Sequence, residues 1–183
     1  MRVRRNYRRA SIISLAVLAI GMWAAMAVAK ASYSYSEDPI RAGNKALEET
    51  RLSDAKSLFE EALANNYQVP KAKFGLAEVA ARSGILEQAE TLYRDAIDAQ
   101  TKEGGKPFAE AHAGLGIVLI DTDRWDEGRK EIETAYKLDS GYWPAIYGQA
   151  RLLLQKHKWD EAEALLNKGS KKKGVGQGED MFH

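Results

Sequence analysis

Leu86-Glu87-Gln88-Ala89-Glu90-Thr91-Leu92-Tyr93-Arg94-Asp95-Ala96-Ile97 is the stretch whose reading decides the fold. A small residue, Ala89, is followed four positions later by the bulky Tyr93 and three further on by the small Ala96. The same order returns as Ala55, Phe59, Ala62, then Gly128, Ile132, Ala135, then Ala162, Leu166, Gly169. Twelve residues before each leading small residue stands another: Gly43, Ala77, Gly116, Ala150. The copies are spaced by 34, 39 and 34 residues. Self-similarity at this period indicates stacked supersecondary units, each burying its apolar face only against its neighbours.

The units are helical. From Asp54 to Ile97 apolar residues recur at steps of three and four, the spacing of an amphipathic helix. Ala, Leu, Glu, Lys and Arg dominate, which suits helix propensity. Small residues at helical spacing let two backbones approach, and the bulky residue between them fills the groove that remains. Ser53 and Asp123 stand where N-caps are needed. Gly84 and Gly141 stand where helices should end. The predicted fold is all-α: an α-solenoid of about four helix-turn-helix repeats, with eight helices in antiparallel pairs. The repeats are placed at 36–69, 70–103, 109–142 and 143–176. The five extra residues between the second and third fall at Thr101 to Lys106, where Gly104-Gly105 and Pro107 mark a loop. They either open the stack or lengthen the preceding helix.

Small, small, bulky, small on a 34-residue period resembles the tetratricopeptide repeat (TPR). Leu76-Ala77 and Leu115-Gly116 sit at the family's Leu-Gly step, and Ala89, Tyr93 and Ala96 match its second-helix trio. Trp125-Asp126-Glu127-Gly128 and Trp159-Asp160-Glu161-Ala162 repeat one helix-entry phrase. The resemblance spans Ser36 to Gly169. The early aromatic is replaced by Ala46, Ala80, Leu119 and Leu153, and the terminal Pro is missing from its usual place.

The resemblance implies a concave groove lined by the first helix of each repeat. Carried onto this chain, the groove residues are Glu37, Ile40 and Asn44, then Lys71, Phe74, Glu78 and Arg82. Repeat three supplies Glu110, Ala113, Ile117 and Ile120, and repeat four Tyr147, Arg151 and Leu154. The partner-binding candidates are Asn44, Lys71, Phe74, Glu78, Arg82, Ile117, Tyr147 and Arg151. Phe74 and Tyr147 are read as exposed anchors, while Ile117, Ile120 and Leu154 have packing as their simpler role. Some TPR domains grip a C-terminal carboxylate with Lys and Asn here. Only Asn44 matches, because the Lys positions hold Ile40, Phe74, Ala113 and Tyr147. An apolar-aromatic groove with rim charges suits a peptide or partner helix instead.

Outside the repeats, residues 1–31 carry six of the chain's 27 basic groups and no acid, leaving 21 bases against 26 acids in the rest. That mildly acidic body does not fit nucleic-acid binding. Arg2, Arg4, Arg5, Arg8 and Arg9 precede an 18-residue apolar run, Ile12 to Ala29. Ala27-Val28-Ala29 and Ala29-Lys30-Ala31 follow as cleavage patterns. This is the order of a secretory signal, in a run just long enough to span a bilayer. Two outcomes stay open: a cleaved signal peptide, or a signal anchor held in the membrane through residues 12–29. In both, the basic end stays in the cytoplasm and the repeats face outward, periplasmic in a Gram-negative cell, either free or anchored to the inner membrane. Residues 32–35 are a short linker, and 177–183 begin a possible truncated fifth repeat.

Catalytic chemistry is missing. With no cysteine, disulfides, thiolate metal sites and cysteine nucleophiles are excluded. His112, His157 and His183 have no metal-ligand spacing. Asp121-Thr122-Asp123-Arg124-Trp125-Asp126 opens like a calcium loop but places Trp where an oxygen is required. Gly174-Val175-Gly176-Gln177-Gly178 follows no strand and lacks the phosphate-loop Lys. The expected function is a non-enzymatic scaffold of the cell envelope, without cofactor, for a protein or peptide partner. Self-association through the last repeat, or service as the docking arm of a longer enzyme, are the alternatives.

Overall fold

The structure is a computed structural model that describes residues 38–172. The predicted signal segment, the linker, Glu37 and the tail from residue 173 onward lie outside the described residues. Among the described residues are eight helices and no strand. They are α1 (Pro39–Glu48), α2 (Leu52–Ala64), α3 (Val69–Arg82), α4 (Leu86–Lys102), α5 (Ala109–Asp121), α6 (Trp125–Leu138), α7 (Trp143–Gln155) and α8 (Trp159–Lys172).

Each helix packs on its neighbours in sequence, and successive first helices also touch: α1 on α3, α3 on α5, α5 on α7. Second helices make no such contact with one another. The first helices therefore share the inner side of a curved stack, and the second helices splay along the outer side. None of the described helices is long and apolar enough to cross a membrane. The apolar run 12–29 falls outside that description.

The bulky residue of each repeat knits the stack together. Phe59 and Ile132 are fully buried and Tyr93 is 2% exposed. Phe59 presses on Gly43 of its own repeat, where a β carbon would come within 2.6 Å of Cε1. Ile132 presses on Gly116 in the same way, at 2.7 Å from Cγ1. Each bulky residue also reaches a glycine in the following repeat: Phe59 to Gly75, Tyr93 to Gly114, Ile132 to Gly148. These contacts are closer still, and the sequence reading did not single out those three glycines.

Helix entry differs from the sequence expectation. Pro39, Pro70 and Pro144 open three of the first helices, where a fixed φ helps and the missing N–H costs nothing. The Asp38 carboxylate accepts from the Ile40 amide at 2.9 Å. Ser53 is not a cap, because α2 already begins at Leu52. Asp123 is not a cap either. It holds the left-handed turn at φ 62° and accepts from the Trp125 indole at 3.2 Å.

The turn inside every repeat has the same form, with Thr50, Gly84, Asp123 and His157 at φ 56°, 74°, 62° and 58°. The next amide donates back five residues: Arg51 to Ala46 O at 2.8 Å, Ile85 to Ala80 O at 2.9 Å, Arg124 to Leu119 O at 2.8 Å, Lys158 to Leu153 O at 3.0 Å. Gly84 ends α3 as expected. Gly141 does not end α6, which closes at Leu138; the extended Asp139 then accepts from the Gly141 amide at 2.8 Å.

The insertion between repeats two and three lengthens α4 to 17 residues. A loop then turns at Gly104, φ 66°, and the Gln100 side chain donates to the Lys106 carbonyl at 2.9 Å.

Candidate partner-binding surface

The inner side is a grid set by repeat register. Ile40, Phe74, Ala113 and Tyr147 occupy one row across α1, α3, α5 and α7. Asn44, Glu78, Ile117 and Arg151 occupy the next, one turn along. Glu48, Arg82, Asp121 and Gln155 follow.

The predicted residues fall into different environments. Asn44 and Lys71 are exposed. Phe74 is half-buried, its ring 5.2 Å from Phe108 and 6.0 Å from Tyr93 between centroids. It is a wall between repeats more than a free anchor, because the loop after α4 lays Phe108 against it. Ile117 is half-buried against the cluster of Ile120, Ile132 and Leu152. Ile40 and Ile120 are buried at 5% and 2%, and Ala113 fully. Tyr147 is 44% exposed and Leu154 36%. Arg151 lies 5.9 Å from the Tyr147 ring centre and donates to Asp121 at 2.5 Å. Tyr147, Arg151 and Leu154 thus form a continuous outward stripe on α7, at steps of four and three.

Glu78 and Arg82 act within the stack as well as on its surface. The Tyr93 hydroxyl donates to Glu78 at 2.5 Å. Arg82 donates to the Leu47 carbonyl at 2.9 Å, closing the end of α1 in the preceding repeat. Burial first, then the Glu78 carboxylate, push the Tyr93 phenol far above its ordinary value. Burial does the same to Tyr142, aided by Glu78, Glu110 and Asp139 against Arg82. Both phenols therefore stay protonated, and Tyr93 is the one that donates to a groove carboxylate. Tyr142 was missed by the sequence reading; it lies in the turn before α7, where no repeat position marks it.

Beside the groove, His112 bridges α5 to α6 through Glu131 at 2.7 Å. No three His, Asp or Glu side chains assemble as a metal site among the described residues. The grid offers shape, an aromatic stripe and charge: the means to hold a chain.

The Tetratricopeptide repeat family matches residues 40–104 and 113–172. The chain belongs to the tetratricopeptide repeat family. The two matched segments each hold two helix pairs and break at the insertion after α4. Among curated proteins, none matches the sequence. Solved structures do. The crystal structure of MamA shares 18% identity at a TM-score of 0.56, over 81% of this chain and 86% of that one. YrrB, described as a TPR protein with an unusual peptide-binding site, shares 16% at 0.56, over 79% and 74%. At these identities the likeness is one of fold.

Proposed function

We propose that this TPR chain is a non-enzymatic interaction scaffold that holds an extended peptide or a partner helix along its inner groove. One observation carries the reading. Tyr147 and Leu154 stand exposed on α7, and fully buried Ala113 leaves a dip between Tyr147 and Phe74 in the same row. An aromatic rim around a shallow apolar dip is the anchor geometry of peptide grooves. Glu78 and Glu110 beside it favour a basic side chain next to the partner's apolar anchor. The peptide-binding site named for YrrB supports the same reading.

Residues 1–31, basic and then apolar, support placement of this scaffold in the cell envelope, either released after cleavage or held by an anchor. The deciding experiment selects peptides from a random library on the full chain and titrates the best into wild type and Tyr147→Ala. Loss of at least tenfold in affinity, with unchanged circular dichroism, is the expected result. Equal affinity would defeat the groove assignment.

A further inference from the structure

The inner helices meet most loosely at the seam between repeats two and three, where α3 and α5 touch less than α1 and α3 or α5 and α7 do. The insertion ends at this seam. It delivers Phe108 as the residue before α5 and lays its ring 5.2 Å from Phe74, the two planes tilted by 49°. Phe74 is in turn tilted by 52° on Tyr93. Ile40 and Ala113, at the place of Phe74 in the adjacent repeats, are buried aliphatic residues. Tyr142, in the turn before α7, is half-buried and packs against the cluster of Ala113, Ala135 and Ala145.

Carboxylates gather among these rings. Glu78 follows Phe74 by one turn of α3, and Glu110 follows Phe108 in the first turn of α5. Both are near enough to act on the Tyr142 phenol, as is Asp139, and Arg82 opposes them. Arg82 reaches toward repeat one, donating to the Leu47 carbonyl at 2.9 Å and staying 3.8 Å from Glu78 Oε2. That separation is too long for a hydrogen bond. The Tyr93 hydroxyl donates to the other oxygen, Oε1, at 2.5 Å. Glu78 is therefore a fixed carboxylate, 25% exposed, with one oxygen to spare. Glu110 is exposed and pairs with no base among the described residues. Arg82 and Lys71, the latter exposed in the first turn of α3, leave the three acids in excess.

Aromatic faces attract cations, arginine more often than lysine. A planar guanidinium lies on a ring and still donates, in its own plane, to carboxylates. We propose that the seam selects an arginine side chain of the peptide held in the groove, its guanidinium lying against the Phe74–Phe108 pair and donating to Glu78 and Glu110. This assignment rests on the groove reading and names the residue type that the groove selects. An acidic or phosphorylated residue would meet like charge there. An apolar residue would strip water from two carboxylates and replace none of its hydrogen bonds. Tyr93 is a positioning residue, holding Glu78 from inside the stack.

The test sequences the peptides that a random library yields on the full chain, wild type against Glu110→Gln and Glu78→Gln. On wild type, arginine is expected at a fixed distance from an apolar residue. Glu110→Gln, a change at an exposed position, should remove the arginine preference and keep the apolar one. In the leading peptide, citrulline in place of arginine keeps the shape, removes the charge and should weaken binding about tenfold, with lysine losing less. Apolar peptides recovered without arginine, or equal binding of the citrulline peptide, overturn the arginine site and leave the groove standing. No recovered peptide at all removes both. Arginine preference that survives Glu78→Gln and Glu110→Gln together places the cation elsewhere and overturns the assignment. Spermidine displacing the peptide at a lower concentration than N-acetylarginine amide overturns it in favour of a free polyamine.

Discussion

The phenol end of Tyr93 abuts α5 at Gly114, leaving no room for a β carbon, while its hydroxyl donates to Glu78 on α3. One side chain of repeat two therefore sets both the spacing to repeat three and the position of a groove carboxylate. Gly114→Ala should overpack this contact and cost about 1–3 kcal/mol in urea unfolding. In a Tyr93→Ala background the same change should cost far less, because the colliding ring is gone. Additive losses would show that Gly114 acts otherwise.

The turn inside each repeat asks for a left-handed residue, and only repeat two supplies glycine. Thr50→Gly should raise stability by about 1 kcal/mol, since a β-branched residue at positive φ is strained. Gly84→Ala should lower it by a similar amount, about 1 kcal/mol, with open space around the new methyl. Thermal melts of the two variants moving in the same direction would contradict a backbone origin.

Glu90 pairs with Arg94 on its own helix and ties α4 to the turn before α6 through Arg124, whose Nη1 lies at 2.7 Å. Burial opposes its charge, but hydrogen bonds from Arg124 and Arg94 outweigh that and hold the carboxylate below its ordinary 4.5. A lowered folded-state value gives stability that is present above the unfolded value and lost as pH falls through the folded one. Glu90→Gln should thus cost roughly 1 kcal/mol at pH 7, discounted for the solvent around both arginines. Wild type and variant should converge in acid, below the ordinary carboxylate value. A gap that persists there would rule out the charge as its source.

Export is checked by cell fractionation with N-terminal sequencing of the chain. A start at Lys30 or Ser32 in a soluble envelope fraction is the expected result for cleavage, and a start at Met1 in the membrane for an anchor. Full-length chain in the cytosol would contradict both.

The repeat register was legible because small and bulky residues at fixed helical spacing are local. Ala89, Tyr93 and Ala96 announce their helix without knowledge of what it touches. The stripe of Gly75, Gly114 and Gly148 was not, because it faces a different repeat and its partner is set by the stacking of helices far apart in sequence. Ser53 and Asp123 misled for another reason. The turn selects by backbone, needing a left-handed residue, and in three of the four repeats a base follows that pairs with an acid three residues on. Arg124 with Glu127 at 2.6 Å and Lys158 with Glu161 at 2.7 Å are examples. Within the groove, Tyr147 could be read as exposed from its place in the repeat. Phe74 could not be placed, since its cover, Phe108, arrives from the irregular loop.

Arg41 and Lys45 at the start of the stack, against Trp159 and Leu166 at its finish, give the molecule a direction. A duplicated helix pair inserted ahead of α1 would meet charge and find no seat. One added behind α8 would find a surface already shaped for it. Among the described residues, a further helix pair of the same pattern would therefore meet charge ahead of α1 and an apolar face behind α8.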